Sequence, residues 1–141
     1  YGDHRDLHSF PTHALPISII VSAEPVGIDI EMQREIILKI AHKFVNDDEL
    51  NRLQKIDLTE YIKKLTVKWG AKEAIFKIKN EKGISFKDHI QVNPFELNET
   101  PTLANLSYGG VEEKFTIHFS ELDTNFTLVY AFENNDSIQS N

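Results

Sequence analysis

Val26-Gly27-Ile28-Asp29-Ile30-Glu31 alternates between apolar and polar or small residues, whereas Lys68-Trp69-Gly70-Ala71-Lys72-Glu73-Ala74-Ile75-Phe76-Lys77 has helical spacing. In a strand, residues two apart share a face. Asp29 and Glu31 are therefore expected to project together, with Ile28 and Ile30 on the opposite, buried face. In a helix, positions four apart advance only about 40°, so Trp69, Glu73 and Lys77 form one stripe. Taken singly, each pattern has a plain reading: an acidic outer strand face, and an i,i+4 salt bridge beside a core aromatic. Taken together, a third carboxylate facing the strand pair completes an oxygen-ligand set of the kind Mg²⁺ uses alongside substrate phosphates.

Working outward, Ile17 to Ser22 is β-branched and apolar, and the turn signal Ala23-Glu24-Pro25 joins it to the acidic strand. Arg34 to Phe44 carries Ile36, Ile37, Ile40, Ala41 and Phe44 at helical spacing, and Asp47 or Asp48 is placed to cap a short helix through about Gln54. Asp57-Leu58-Thr59-Glu60 has the form of a capping box, and Tyr61, Ile62, Leu65, Trp69, Ile75, Phe76 and Ile78 continue one long helix from it. Gly70 within that helix costs about 1 kcal/mol against Ala and suggests close approach of another backbone or a ligand. Strands are expected over Ile84 to Phe86, His89 to Val92, Leu103 to Tyr108, Lys114 to Phe119 and Phe126 to Phe132, with a turn at Gly109-Gly110. The expected fold is α+β, an antiparallel sheet packed against a long helix. Residues 1–16 read as an irregular N-terminal remnant, 17–132 as the domain and 133–141 as a flexible polar tail.

The 141 residues, 40% hydrophobic and 10% aromatic, suffice for one core. A formal net charge of -7 argues against a nucleic-acid partner, which needs a basic face. The absence of cysteine excludes disulfides and zinc-thiolate chemistry and suits the cytoplasm. No apolar run nears the roughly 20 residues needed to span a bilayer, so no membrane role is expected. His4, His8 and His13 lie in the irregular opening segment and read as solvated loop histidines rather than a metal cluster. Lys63, Lys64, Lys68, Lys72, Lys77, Lys79, Lys82 and Lys87 crowd one region of an acidic chain, either as a docking face for an acidic partner or as a solvated helix face.

Val26 to Glu31 with Trp69 to Lys77 resembles the paired signature of the 4'-phosphopantetheinyl transferase superfamily. The pattern G-I-D-I-E followed by W-x-x-K-E-A-x-x-K is specific. The resemblance extends through Phe44 and Asp48-Glu49, which resemble the F-x-x-x-E stretch between the motifs, and through Lys82 to Phe86; it covers roughly Ile17 to Val92. It implies transfer of 4'-phosphopantetheine from coenzyme A, the donor substrate, to a serine of an apo acyl or peptidyl carrier protein. Asp29, Glu31 and Glu73 match the family's metal ligands for Mg²⁺, with Mn²⁺ as a substitute. Lys77 matches the lysine that contacts the substrate phosphates, and Lys72 is placed beside it as a further coenzyme A contact. Attack of the serine hydroxyl on the β-phosphate builds negative charge that a divalent ion and a lysine would offset as 3',5'-ADP departs. Glu73 is the candidate base, acting directly or through water.

The chain is most similar to the second half of the two-half, surfactin-synthetase-activating type, whose halves form a pseudo-dimer with coenzyme A between them. Members of that type carry a Ser-His or Thr-His pair upstream that helps hold the nucleotide's 3'-phosphate. Thr12-His13 has nearly the expected spacing, and Leu7-His8-Ser9 is the alternative. The chain begins at Tyr1 and its single methionine is Met32, so the expectation is an incomplete pseudo-dimer whose first half lies outside this sequence. That implies an exposed half-interface, with homo-oligomer formation or loss of activity. The rival to an active holo-[acyl-carrier-protein] synthase is a truncated, catalytically degenerate domain that keeps the fold and the cation site. Metal-dependent phosphate-ester hydrolysis ranks behind both, because no further histidine or carboxylate ligands can be placed.

Overall fold

Every second residue of β1 (Val26–Met32) faces a helix, and this single fact organises the domain. The structure is a computed structural model that describes residues 24–53, 56–123 and 125–134. After β1 come α1 (Ile36–Phe44), α2 (Asp47–Leu53), α3 (Leu58–Lys79), the one-turn α4 (Phe86–His89) and then β2 (Ile90–Val92), β3 (Thr102–Tyr108), β4 (Val111–Leu122) and β5 (Phe126–Asn134). The strands form one antiparallel sheet in the order β1-β5-β4-β3-β2. The α+β class and the long helix against an antiparallel sheet are therefore as the sequence led one to expect. Thr12, His13, His8 and the strand expected over Ile17 to Ser22 lie outside the described residues, as does most of the expected tail; Glu133 and Asn134 belong to β5.

Helix α3 packs on β1 and β5, α1 packs on α3 and α4, and α4 closes on β2 and β3. The core fills the space between: Val129 and Ala131 of β5, Phe115 and Ile117 of β4, Ala104 and Leu106 of β3, with Leu65, Ile75, Phe44 and Phe86 from the helices. Two local expectations change. Residues 84–86 do not form a strand: the Ser85 side chain accepts a hydrogen bond from the Asp88 N–H and caps α4. The cap before α2 is Asn46, whose Oδ1 accepts from the Glu49 N–H (2.9 Å), rather than Asp47 or Asp48. Asp57 caps α3 as its sequence predicts, accepting from the Glu60 N–H at 2.9 Å. Among the described residues no helix is long and apolar enough to cross a membrane.

The largest departure from the periodicity reading is α3 itself. Every residue from Lys64 to Ile75 is buried, because the sheet covers one side of the helix, α1 packs on it elsewhere, and Glu49 of α2 and Phe86 of α4 reach onto it. An all-round buried helix has no single apolar stripe for a sequence pattern to reveal. Its lysines then require internal partners.

Candidate active site

Asp29 and Glu31 do share a face, but it is the covered one. Asp29 is 5% exposed beneath α3, whereas Ile28 and Ile30 are the half-exposed residues, the reverse of the expected orientation. The reason is the register: Gly27, Asp29 and Glu31 pair with Ala131, Val129 and Thr127, which face α3. Glycine makes this approach possible, since a Cβ at Gly27 would overlap the Ala74 carbonyl. Gly70 does the same from the helix, where an added Cβ would stand 2.6 Å from a Val129 methyl and 3.6 Å from Asp29 Oδ2. The close approach suspected at Gly70 is thus to a side chain, and the close backbone contact lies at Gly27, which sequence reasoning did not single out.

Glu73 descends from α3 onto the strand pair, and one ligand oxygen from each of Asp29, Glu31 and Glu73 lies within 4.8 Å of the others. Lys77, half-exposed on the next turn, donates to Asp29 Oδ1 at 2.9 Å and to the Ile28 carbonyl at 3.0 Å. The second oxygen of the same carboxylate, Asp29 Oδ2, is buried with no donor directed at it among the described residues. Burial, and after it the Asp29 and Glu73 carboxylates, push the Glu31 carboxyl up to about 11, with the Trp69 indole N–H pulling the other way. Three acids crowded out of water must share either a proton or a cation. The donor set is all oxygen and compact, so it fits a hard divalent cation.

Lys72 stands elsewhere. It was expected at the coenzyme A phosphates, but it is wholly buried on another side of α3 and donates to the Phe44 carbonyl (2.7 Å), the Phe86 carbonyl (3.0 Å) and Glu49 Oε1 (3.0 Å). An ammonium has three protons, and these three acceptors account for them. Burial lowers Lys72 to about 8, Glu49 resisting the shift. The wider lysine cluster is also largely paired: all but Lys82 and Lys87 have a carboxylate within 4.0 Å. No continuous basic face remains on α3 for an acidic partner to read. Trp69 serves the core, packing edge-on to Phe44 at 5.1 Å and tilted on Phe86 at 5.3 Å.

Residues 25–131 match the model of the 4'-phosphopantetheinyl transferase superfamily, a span that takes in both motifs, the long helix and the sheet. The chain belongs to that superfamily. Phosphopantetheine transfer is the activity of this superfamily, which places the chain among transferases whose general partners are coenzyme A and carrier proteins. No curated protein matches the chain.

Proposed function

We propose that this chain transfers 4'-phosphopantetheine from coenzyme A to a serine of an apo acyl or peptidyl carrier protein, with Mg²⁺ or Mn²⁺ held by Asp29, Glu31 and Glu73. The observation that carries the reading is the convergence of these acids, one oxygen from each lying within 4.8 Å of the others on buried or half-buried side chains. A bound divalent ion would supply charge neutralisation at the pyrophosphate. Lys77, anchored to Asp29 and half in solvent, offers its ammonium to phosphate oxygens arriving from the open side. Glu73 accepts the serine proton, directly or through water, as the serine oxygen bonds to the β-phosphorus and the bond to the departing 3',5'-ADP breaks.

The rival, a domain that keeps the fold and cation binding without transfer, gains from one observation: Lys72 is consumed inside the core and leaves one fewer cation for coenzyme A. Incubation with Mg²⁺, coenzyme A and an apo carrier protein separates the two. The proposal expects the carrier to gain the mass of a phosphopantetheine arm, and expects Asp29→Ala and Glu73→Ala to abolish that gain. Cation binding without any mass gain would favour the rival. Transfer that survives either substitution would remove these acids from the mechanism.

A further inference from the structure

On the other side of α3 from the acids lies a second buried charge cluster, for which the proposed chemistry has no use. Glu49 is fully buried on α2; its Oε2 accepts from Lys68 Nζ (2.9 Å) and the Val92 N–H (3.3 Å), and its Oε1 accepts from Lys72 Nζ (3.0 Å). Lys68 also donates to the Val92 carbonyl at 3.3 Å, and Lys72 to the carbonyls of Phe44 and Phe86. Two lysines against one glutamate leave the cluster with an excess positive charge in the interior. As a source of stability this is a poor device, since apolar residues of similar volume commonly do as well or better. Hydrogen bonds, however, supply direction, which apolar filling does not.

We propose that the Glu49–Lys68–Lys72 cluster positions the cation site by fixing the rotation and axial setting of α3. The inference rests on the functional reading above. Lys72 directly precedes Glu73, and its ammonium reaches the end of α1, the glutamate of α2 and the first residue of α4, while Lys68 reaches β2. Contacts at Gly27 and Gly70 set how near the helix lies to the sheet. They do not by themselves stop it from turning or sliding, and the cluster on the opposite side does. Mg²⁺ tolerates little distortion of its oxygen shell, so a fraction of an ångström at Glu73 matters to it.

The test measures Mn²⁺ affinity, by electron paramagnetic resonance or calorimetry, on chains shown by circular dichroism to be fully folded at the assay temperature. Lys72→Met is expected to weaken Mn²⁺ by about tenfold, the scale at which supporting groups outside the ligand shell act. Lys79→Met, at the end of the same helix, removes the pair with Glu113 of β4 and should leave the affinity unchanged. Should Lys72→Met not fold, the charge-free variant Glu49→Gln/Lys68→Met/Lys72→Met is the substitute, because replacing a whole buried cluster is tolerated better than breaking it. A folded Lys72→Met or triple variant that binds Mn²⁺ like the wild type would overturn the positioning role. Failure of the wild type itself to bind Mn²⁺, or binding unaffected by Asp29→Ala, would instead overturn the functional reading on which the inference rests.

Discussion

At the scale of single residues, the crowding of three acids ties stability to pH. The Glu31 carboxyl is raised from 4.5 to about 11, first by burial and then by Asp29 and Glu73. Below the unfolded value both folded and unfolded chains carry the proton, and its contribution is fully present. Above it only the folded chain retains the proton, so stability falls as pH rises from 4.5 toward 11. A cation bound by the three acids would take the proton's place and remove the dependence. Thermal unfolding between about pH 5 and 8 should therefore show a falling Tm in chelator and a flatter profile in saturating Mg²⁺; parallel profiles would contradict this origin. The same logic applies to Glu31→Gln, whose neutral amide needs no proton taken up on folding above the unfolded value. The metal-free protein should gain about 1 kcal/mol, the usual scale of such relief, while losing cation binding and transfer. Denaturant unfolding and the carrier assay measure the two effects on one sample.

At the scale of elements, the site depends on a strand and a helix lying closer than side chains normally allow. Gly27→Ala drives a methyl into the Ala74 carbonyl, which is backbone and cannot move alone, so a loss of about 1–3 kcal/mol is expected, together with weaker cation binding. Gly70→Ala gains about 1 kcal/mol of helix propensity. It also sets the new carbon 2.6 Å from a methyl of Val129, which is fully buried, and the overlap should win. Removing that methyl in Gly70→Ala/Val129→Ala should restore part of the loss, giving a coupling above about 0.5 kcal/mol in a double-mutant cycle. These glycines also show what could be read in advance. Strand alternation gave the sharing of a face by Asp29 and Glu31, and helix spacing carried Glu73 and Lys77 to the same place. Which face was buried could not be read, because alternation fixes relative and not absolute orientation, and hydrophobicity pointed to Ile28 and Ile30. Lys68 and Lys72 misled for a related reason: a lysine on a wholly buried helix looks like a lysine on a solvated one until its partner, here Glu49 from a different helix, is in place.

At the scale of the whole molecule, the inverted strand orientation has a consequence on the far face of the sheet. Ile28 and Ile30 pair in register with Tyr130 and Leu128, and all four are half-buried on the side away from α3. His118 stacks on Tyr130 at 4.8 Å with an interplanar angle of 7°, and Phe132 meets both rings edge-on. A sheet face of this composition is one on which a second protein surface would gain by burying apolar area. The half-interface expected from the sequence, with homo-oligomer formation or loss of activity as its outcome, is tested on this face for the first of the two. Sedimentation velocity should find a species larger than the 16.2 kDa chain. Ile30→Lys should return it to the monomer, since a charge at the centre of such a contact is left without water or a partner. Because Ile30 faces away from α3, the same variant should keep its Mn²⁺ affinity, which separates loss of assembly from loss of fold. A wild-type chain that sediments as a monomer across the accessible concentration range would contradict self-association and leave this face to a different partner, while the acid site on the opposite side of the sheet would stand untouched.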